Sequence, residues 1–471
     1  MKKRFPIQLA KEAILLRDYG YAVELLYPEA VVGNSEAQFL CGYLHFAEPS
    51  ISKDQAILWL TQVAEQGHPE ANYVLACCPD LTPEYTFRSP PDELGWQRLL
   101  FAAEHNSAAA QGDLGRFYAE DCLDLSQDLE KSREWRTHAF HLVGKRKSGL
   151  VNAEIFYSLG MMILEGIGGP QDLDGLRILY IAGCDYANPY SQKALEAFKE
   201  IVQTRKHGIS EDTATYLEQK IEELSDLPRS PHVTYKEWQD YIECYIRRSL
   251  KYNLVSAPFE DFVGFLFEHI PASSLRHPFF SPYDANWHNI AAVETDPVEL
   301  VRHYIRLFQN PEFLLDLYHP IELERGFWDI REFNSWSLGA AIHGKVVPID
   351  QAETCIRAMY PLFAKLFAQN PLLMSSFMWW DSEFANFGCP HEVPHRDYDE
   401  SESQRLHQAM FETLTAILQI DSLDCKAAAL HGLGHLQHPH TEKVIKAFLV
   451  NHPELADWQE YALAAIEGDI L

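Results

Sequence analysis

The stretch Ala37–Ala71, AQFLCGYLHFAEPSISKDQAILWLTQVAEQGHPEA, decides the fold of this chain. Its pattern predicts a helix, a loop, a second helix and a turn, and it recurs through roughly the first 200 residues. Two helices of this size cannot bury their apolar faces alone, and they become stable only by stacking on further copies. The N-terminal part of the chain is therefore predicted to be a solenoid of helix pairs.

Small residues at fixed positions support this repeat. Further copies of the unit begin at Ala71, Ala110, Ile155 and Ser191. Five residues after each of the first four starts stands a small residue, namely Gly42, Ala76, Gly115 or Gly160. The second helix carries small residues eight apart, as at Ala56 and Ala64, so that both lie on one helix face. Glycine or alanine at such positions allows a neighbouring helix to approach closely.

These motifs resemble the Sel1-like repeat family, a relative of the tetratricopeptide repeats. The matching segments are AILWLTQVAEQGHPEA, DELGWQRLLFAAEHNSAAAQGDLGRFY, DLEKSREW and LGMMILEGIGGPQDLDGLRILYIAG, within residues 10–195. The sequence departs from the family pattern at a Pro-rich insertion (Cys77–Pro91), at a longer loop (Asp121–Gln127) and at Phe140, where a small residue is expected. The resemblance implies stacked helix pairs, a protein-binding adaptor and no catalytic residues.

Composition and charge exclude several classes of protein. The chain has 471 residues, of which 47% are hydrophobic and 23% charged, so wholesale disorder is excluded. Its net charge of -29 repels phosphate backbones and anionic lipid headgroups, which disfavours binding to nucleic acid or to a membrane surface. A basic protein partner, or mimicry of an acidic one, remains open.

Cysteine usage and hydropathy predict a cytoplasmic protein. The nine cysteines are odd in number and follow no disulfide-type spacing, which indicates free thiols in a reducing compartment. Charged residues from Lys11 to Asp18 interrupt any signal-like apolar segment near the start. No stretch approaches the roughly 20 apolar residues that cross a bilayer.

The remainder of the chain is also predicted to be helical, which makes the fold class all-α. Two prolines in Leu227–His232 mark a domain boundary, with a solenoid at 1–226 and a second helical domain at 233–471. A helix is predicted over Tyr235–Tyr252, followed by an aromatic and Pro-rich ordered loop over 253–296. Later helices are expected at 297–308, 310–318, 334–343, 349–368, 372–387, 401–419, 424–437, 440–450 and 457–467. The last of them weakly resemble HEAT-like helical repeats.

Two groups of residues could bind a metal ion. His431 and His435 are four apart on a predicted helix and project from one face, a spacing that suits zinc. Gly432 stands where a zincin has glutamate, so a structural or surface role is the favoured interpretation. Cys389 and His391, with His395 and Asp397, form a second candidate, for which a polar surface loop is favoured. No cofactor is expected.

The sequence predicts a non-enzymatic scaffold that binds a partner protein on the concave face of the first helices. No nucleophile elbow or phosphate-binding loop is present in the sequence. Repeat register places the candidate partner contacts at Gln38, Tyr43, Asn72, Gln111 and Arg116. A specific version is an immunity or inhibitor protein that caps a toxic enzyme. The alternative is a metal-dependent hydrolase with its site in the C-terminal half.

Overall fold

The computed structural model confirms the all-α class. It describes residues 3–48, 50–81, 92–120, 127–143, 150–183, 189–225, 242, 245–246, 249–268, 292–331, 335–343, 346–372, 374–381 and 400–469. Each helix in these residues is too short or too polar to span a lipid bilayer.

The chain divides into two compact units. The solenoid unit comprises residues 13–249, and the C-terminal unit comprises residues 1–12 together with 250–471. The domain boundary predicted at Leu227–His232 lies outside the described residues, so it stays a prediction.

Helix α1 (Pro6–Leu15) begins in the C-terminal unit, and the helices of the solenoid unit whose bounds the structure describes follow it. They are α2 (Tyr19–Val31), α3 (Ser35–Leu44), α4 (Lys53–Glu65), α5 (Pro69–Cys77), α6 (Glu93–Glu104), α7 (Ala108–Ala119), α8 (Leu129–Val143), α9 (Leu150–Glu165), α10 (Asp174–Gly183), α11 (Pro189–Gln203) and α12 (Glu211–Ser225). Side-chain caps at Asn34, Ser52, His68, Asp92 and Ser107 accept hydrogen bonds from the first turns of α3 to α7. Consecutive helices pack on one another, as the stacked repeat predicts.

The small residues of the register lie where helices meet. A Cβ added at Gly42 would fall 2.6 Å from Cγ of Leu60, and one at Gly160 would fall 3.1 Å from the carbonyl oxygen of Gly175. Phe140, the bulky exception, is 9% exposed and packs edge-on against Phe156, with ring centroids 4.9 Å apart. The register therefore identifies contact points between helices at Gly42 and Gly160, and an aromatic pair fills the position of Phe140, where a small residue is expected.

The C-terminal unit is a second helical assembly with one short parallel strand pair. Its elements are β1 (Lys251–Asn253), α13 (Phe259–Phe267), β2 (Ala292–Glu294), α14 (Pro297–Gln309), α15 (Leu314–Leu317), α16 (Pro320–Asp329), α17 (Leu338–Ile342), α18 (Ile349–Leu362), α19 (Glu400–Ile417), α20 (Leu423–Leu436), α21 (Thr441–Asn451) and α22 (Gln459–Glu467). Among the described residues, this unit also has a π-helical turn at Phe363–Phe367 and 3-10 turns at Phe377–Trp380 and Pro453–Trp458. Fully buried aromatic rings, including Trp379 and Trp380, form its core.

Several predicted elements of this unit are wrong in detail. The helix predicted over Tyr235–Tyr252 does not reach Tyr252, which lies in β1. The expected loop at 253–296 contains helix α13, whose first turn after Pro258 carries two acidic residues. The predicted helix 310–318 is reduced to Leu314–Leu317. Helix α16 was not predicted, although Pro320 at its start and a His319–Glu322 capping box are strong start signals.

Candidate functional site

Three of the predicted partner contacts form one repeated hydrogen bond inside the solenoid unit. The side-chain amides of Gln38, Asn72 and Gln111 donate to the carbonyl oxygens of Ala30, Ala64 and Ala103 at 3.1, 3.0 and 2.9 Å. Each acceptor lies eight residues earlier, at the end of the preceding helix, where carbonyl groups lack a helical partner. The three side chains are 4–7% exposed. Their predicted role in partner binding stays a prediction.

The face of α3 also meets a later part of the chain. Tyr43 is fully buried and packs edge-on against Phe46, with centroids 5.5 Å apart. Tyr245 donates from its hydroxyl to the carboxylate of Glu36 at 2.7–2.8 Å and packs against Phe39, with centroids 5.0 Å apart. The chain's own aromatic side chain therefore covers part of α3.

A polar patch lies on α5 and α7, which are both first helices of their pairs. Asp113 accepts hydrogen bonds from the Tyr73 hydroxyl at 3.0 Å and from the Arg116 guanidinium at 3.2 Å. Arg116 also contacts Glu120 at 3.8 Å, and its guanidinium lies 4.5 Å from the ring centroid of Phe117. The side chains of Asp113 and Arg116 are 17% and 15% exposed, so both charges sit at the edge of solvent. We call Tyr73, Asp113, Arg116 and Glu120 the Arg116 patch.

Arg136 on α8 extends the charge of this patch inward. Its side chain stacks on α7, because a Cβ at Gly115 would fall 2.6 Å from Cγ of Arg136. The residue is 6% exposed, and its buried Nε has no hydrogen-bond partner in the described residues. Burial lowers the pKa of Arg136, and the nearby Glu154 carboxylate opposes that shift. Arg136 and Glu154 thus add a second guanidinium group and a third carboxylate next to the Arg116 patch.

Burial raises the pKa of Asp113 from 3.8 to about 6, although Arg116 and Tyr73 both favour its ionised form. Because the folded pKa is raised, the folded state holds this proton more tightly, and that stabilising contribution is lost as pH rises from about 4 to above 6. Asp113→Asn removes this pH-dependent contribution, because asparagine does not titrate. Between pH 4 and pH 7 we expect the stability of the variant relative to wild type to rise by about 2 kcal/mol.

Denaturant unfolding of both proteins at several pH values measures this difference. Asp174→Asn is the matched control, because Asp174 is also bonded to an arginine three residues later, but is 48% exposed and has a lowered pKa. For Asp174→Asn we expect a small change of the opposite sign. Identical pH dependence in Asp113→Asn and wild type would contradict the raised pKa.

In the C-terminal unit, the structure brings together His431 and His435 with a residue that the sequence did not suggest. The two imidazole Nε2 atoms are 3.2 Å apart, and Asp381 lies 3.6 Å from Nε2 of His435. Burial and the neighbouring His435 lower the pKa of His431 to about 4. Cys389 and His391 lie outside the described residues, so their predicted part in a metal site is untested. Asp381 was missed because it lies 50 residues before His431, and only folding joins them.

Comparisons with known proteins give similarity to solved structures alone. No family model and no curated protein matches the sequence. A Sel1 repeat protein from Oxalobacter formigenes aligns with 20% identity over 43% of this chain and 78% of its own, with a TM-score of 0.33. The protein c5321, a protective antigen of uropathogenic Escherichia coli with an SLR fold, aligns with 14% identity over 93% of this chain and 82% of its own, also with a TM-score of 0.33. Both structures are repeat proteins of the family that residues 10–195 resemble.

Proposed function

We propose that this protein is a scaffold that binds a partner protein on the first-helix face of the solenoid unit, at the Arg116 patch. The observation that carries the proposal is the pairing of Arg116 with Asp113 at the edge of solvent on α7. Arginine is enriched among the residues that dominate binding energy at protein interfaces. The coarse role, protein interaction, is also the one that the family resemblance implies.

The α7 end of this face suits a partner better than the α3 end. Tyr245 contacts Glu36 and Phe39 on α3 and reduces the surface that a partner could reach there. Glu120, the residue that follows α7, has a side chain that is 59% exposed beside Arg116. We infer that a partner contacts α7 and the neighbouring first helices on either side of it.

The partner is proposed to be basic. A net charge of -29 raises the rate of encounter with a positively charged protein, and salt screens this attraction. Asp113, Glu120 and Glu154 supply carboxylates at the docking point itself. Arg116 would then hold the partner by hydrogen bonds to its carbonyl or carboxylate groups, which fixes orientation as well as affinity.

The experiment is affinity capture from the native cell with full-length protein, washed at low and at high salt, followed by mass spectrometry. We expect one stoichiometric partner of positive net charge that high salt releases. Arg116→Ala should weaken its binding to the purified protein by about tenfold or more, the loss that a central interface arginine typically causes.

Arg177→Ala is the matched control for this experiment. Arg177 also pairs with an aspartate three residues earlier, at 2.7 Å, but it lies on α10, a second helix, and is 51% exposed. Binding should be unchanged in this variant. An equal loss of affinity in Arg116→Ala and Arg177→Ala would contradict the proposed docking point. So would a partner whose affinity is changed neither by high salt nor by Arg116→Ala.

Two finer features belong to the same proposal. We propose a cytoplasmic location, which Cys41, Cys77, Cys355 and Cys425 support because each is buried and forms no disulfide bond. An immunity or inhibitor role is the specific form that we propose. In that form the captured partner would be a toxic enzyme whose activity is lost in the complex. The comparisons provide no support for the alternative of a metal-dependent hydrolase.

A further inference from the structure

Three side chains from two separate segments converge in the C-terminal unit. His431 and His435 stand one helical turn apart on α20, and Asp381 directly follows the 3-10 turn Phe377–Trp380. One ligand atom from each residue lies within 4.8 Å of the other two. Imidazole nitrogens and a carboxylate oxygen are the donor types that zinc prefers, together with thiolate sulfur.

The spacing of these atoms matches a tetrahedral ion. Zinc bonds of about 2.0–2.1 Å place two ligand atoms of a tetrahedron about 3.3–3.4 Å apart. The separation between the two Nε2 atoms is 3.2 Å, and that between Nε2 of His435 and Oδ1 of Asp381 is 3.6 Å. The third pair of ligand atoms, from Asp381 and His431, lies within 4.8 Å, and the Asp381 side chain is 41% exposed.

A second set of contacts fixes the orientation of His431. Its Nδ1 lies 2.8 Å from the hydroxyl oxygen of Tyr461 on α22. When Nδ1 donates its proton to that oxygen, the lone pair of Nε2 faces His435 and Asp381, which is the tautomer that a metal ligand needs. The ring of Phe377 packs on His431 at a centroid distance of 4.7 Å, and His431 itself is fully buried. The Nε2 atom of His431, which would bind the metal, is therefore already held in position without a bound ion.

The packing of α20 explains why Asp381 comes so close. A Cβ at Gly432 would fall 2.6 Å from Cβ of Trp380, so only glycine allows α20 to approach this 3-10 turn. Arg331 donates a hydrogen bond to the carbonyl oxygen of Asp381 and fixes the backbone there. The positive charge of Arg331 opposes a bound cation, and the carboxylate of Asp381 offsets that repulsion.

We propose that Asp381, His431 and His435 bind one zinc ion, or another borderline divalent transition metal, in the C-terminal unit. The ion would tie α20 to the segment that ends at Asp381 and stabilise the folded unit, because the unfolded chain does not hold these three ligands together. Three protein ligands leave one tetrahedral position for water or an exogenous ligand. The proposed scaffold function does not depend on this ion.

The test uses tag-free, full-length protein that has been dialysed against a chelator and then titrated with Zn²⁺. We expect saturable binding of one ion per chain and a rise in the unfolding temperature of the C-terminal unit that follows zinc concentration. Titration with Co²⁺ should give the strong visible absorption of a tetrahedral complex. Asp381→Ala and His435→Ala, both at partly exposed positions, should abolish the one-to-one binding.

Two further variants separate binding from folding. Tyr461→Phe removes only the hydroxyl that orients His431, and it should weaken zinc binding by about 10–100-fold. His452→Ala is the matched control, since His452 contacts the Glu454 carboxylate at 2.9 Å and belongs to no three-ligand cluster in the described residues. It should bind zinc as wild type does. Absence of saturable binding, or equal binding by wild type, Asp381→Ala and His435→Ala, would overturn the proposal.

Discussion

Gly175→Ala is expected to destabilise the solenoid unit by about 3 kcal/mol, near the upper end of what overpacking usually costs. A Cβ at this position would fall 2.5 Å from the carbonyl oxygen of Gly160 and 2.6 Å from Cγ of Leu164. The first of these atoms belongs to the backbone of α9, which cannot rotate away as a side chain can. The helices α9 and α10 would have to separate, and the apolar contacts along both would loosen.

Urea unfolding followed by circular dichroism measures this loss as a shift of the midpoint of the solenoid transition. Gly20→Ala is the matched control, because Gly20 is also the second residue of its helix and the nearest atom to an added Cβ is 3.9 Å away. There we expect a change within about 1 kcal/mol, on the stabilising side, since alanine favours helix more than glycine does. Equal effects at both positions would show that close approach of the helices is not what Gly175 provides.

Glu324→Ala is expected to destabilise the C-terminal unit by about 3–5 kcal/mol. This glutamate on α16 is 1% exposed, and its carboxylate accepts hydrogen bonds from Met374 and Ser375. The donors are the backbone amide groups of Met374 and Ser375 and the hydroxyl group of Ser375, at 2.9–3.0 Å. Truncation would remove the acceptor of these donors, two of which belong to the fully buried Ser375.

Thermal and urea unfolding both report this change, and Glu324→Gln refines it. The glutamine keeps the volume and one acceptor oxygen, so we expect it to recover part of the lost stability. The control is Glu299→Ala, because Glu299 pairs with Arg302 at the surface and its side chain is 40% exposed. Removal of such a pair should change stability by less than about 1 kcal/mol. A Glu324→Ala protein as stable as wild type would show that these donors find other acceptors.

Sequence patterns predicted the solenoid well because its interactions are local. Glycine or alanine at a fixed position in each pair marks the close approach of two neighbouring helices, as at Gly42 and Gly160, and the chain supplies that neighbour in the next helix, as Leu60 and Gly175. The same register selected Gln38, Asn72 and Gln111 as special. It could not indicate that their amides donate to backbone carbonyls, because that depends on where the preceding helix ends.

The C-terminal unit was harder to predict because its decisive contacts are distant in sequence. Helix α13 is rich in phenylalanine and follows a proline, a composition that indicates a packed loop as readily as a helix. The strands β1 and β2 have three residues each, too few for an alternating pattern to appear. His431 and His435 were found from their helical spacing, whereas Asp381 joins them only through tertiary packing around Gly432.

The repeated amide contact makes the solenoid modular. Between α2 and α3, α4 and α5, and α6 and α7, the same donor type meets an alanine carbonyl at the same eight-residue offset. If a helix pair is deleted at one of these contacts, the remaining side-chain amide and alanine carbonyl can still form the same hydrogen bond. An inserted pair would meet the same donor and the same acceptor at its two ends. Gain or loss of a whole repeat therefore reduces stability little at the contact between adjacent pairs. The array can change length in evolution or by design without a new kind of contact there.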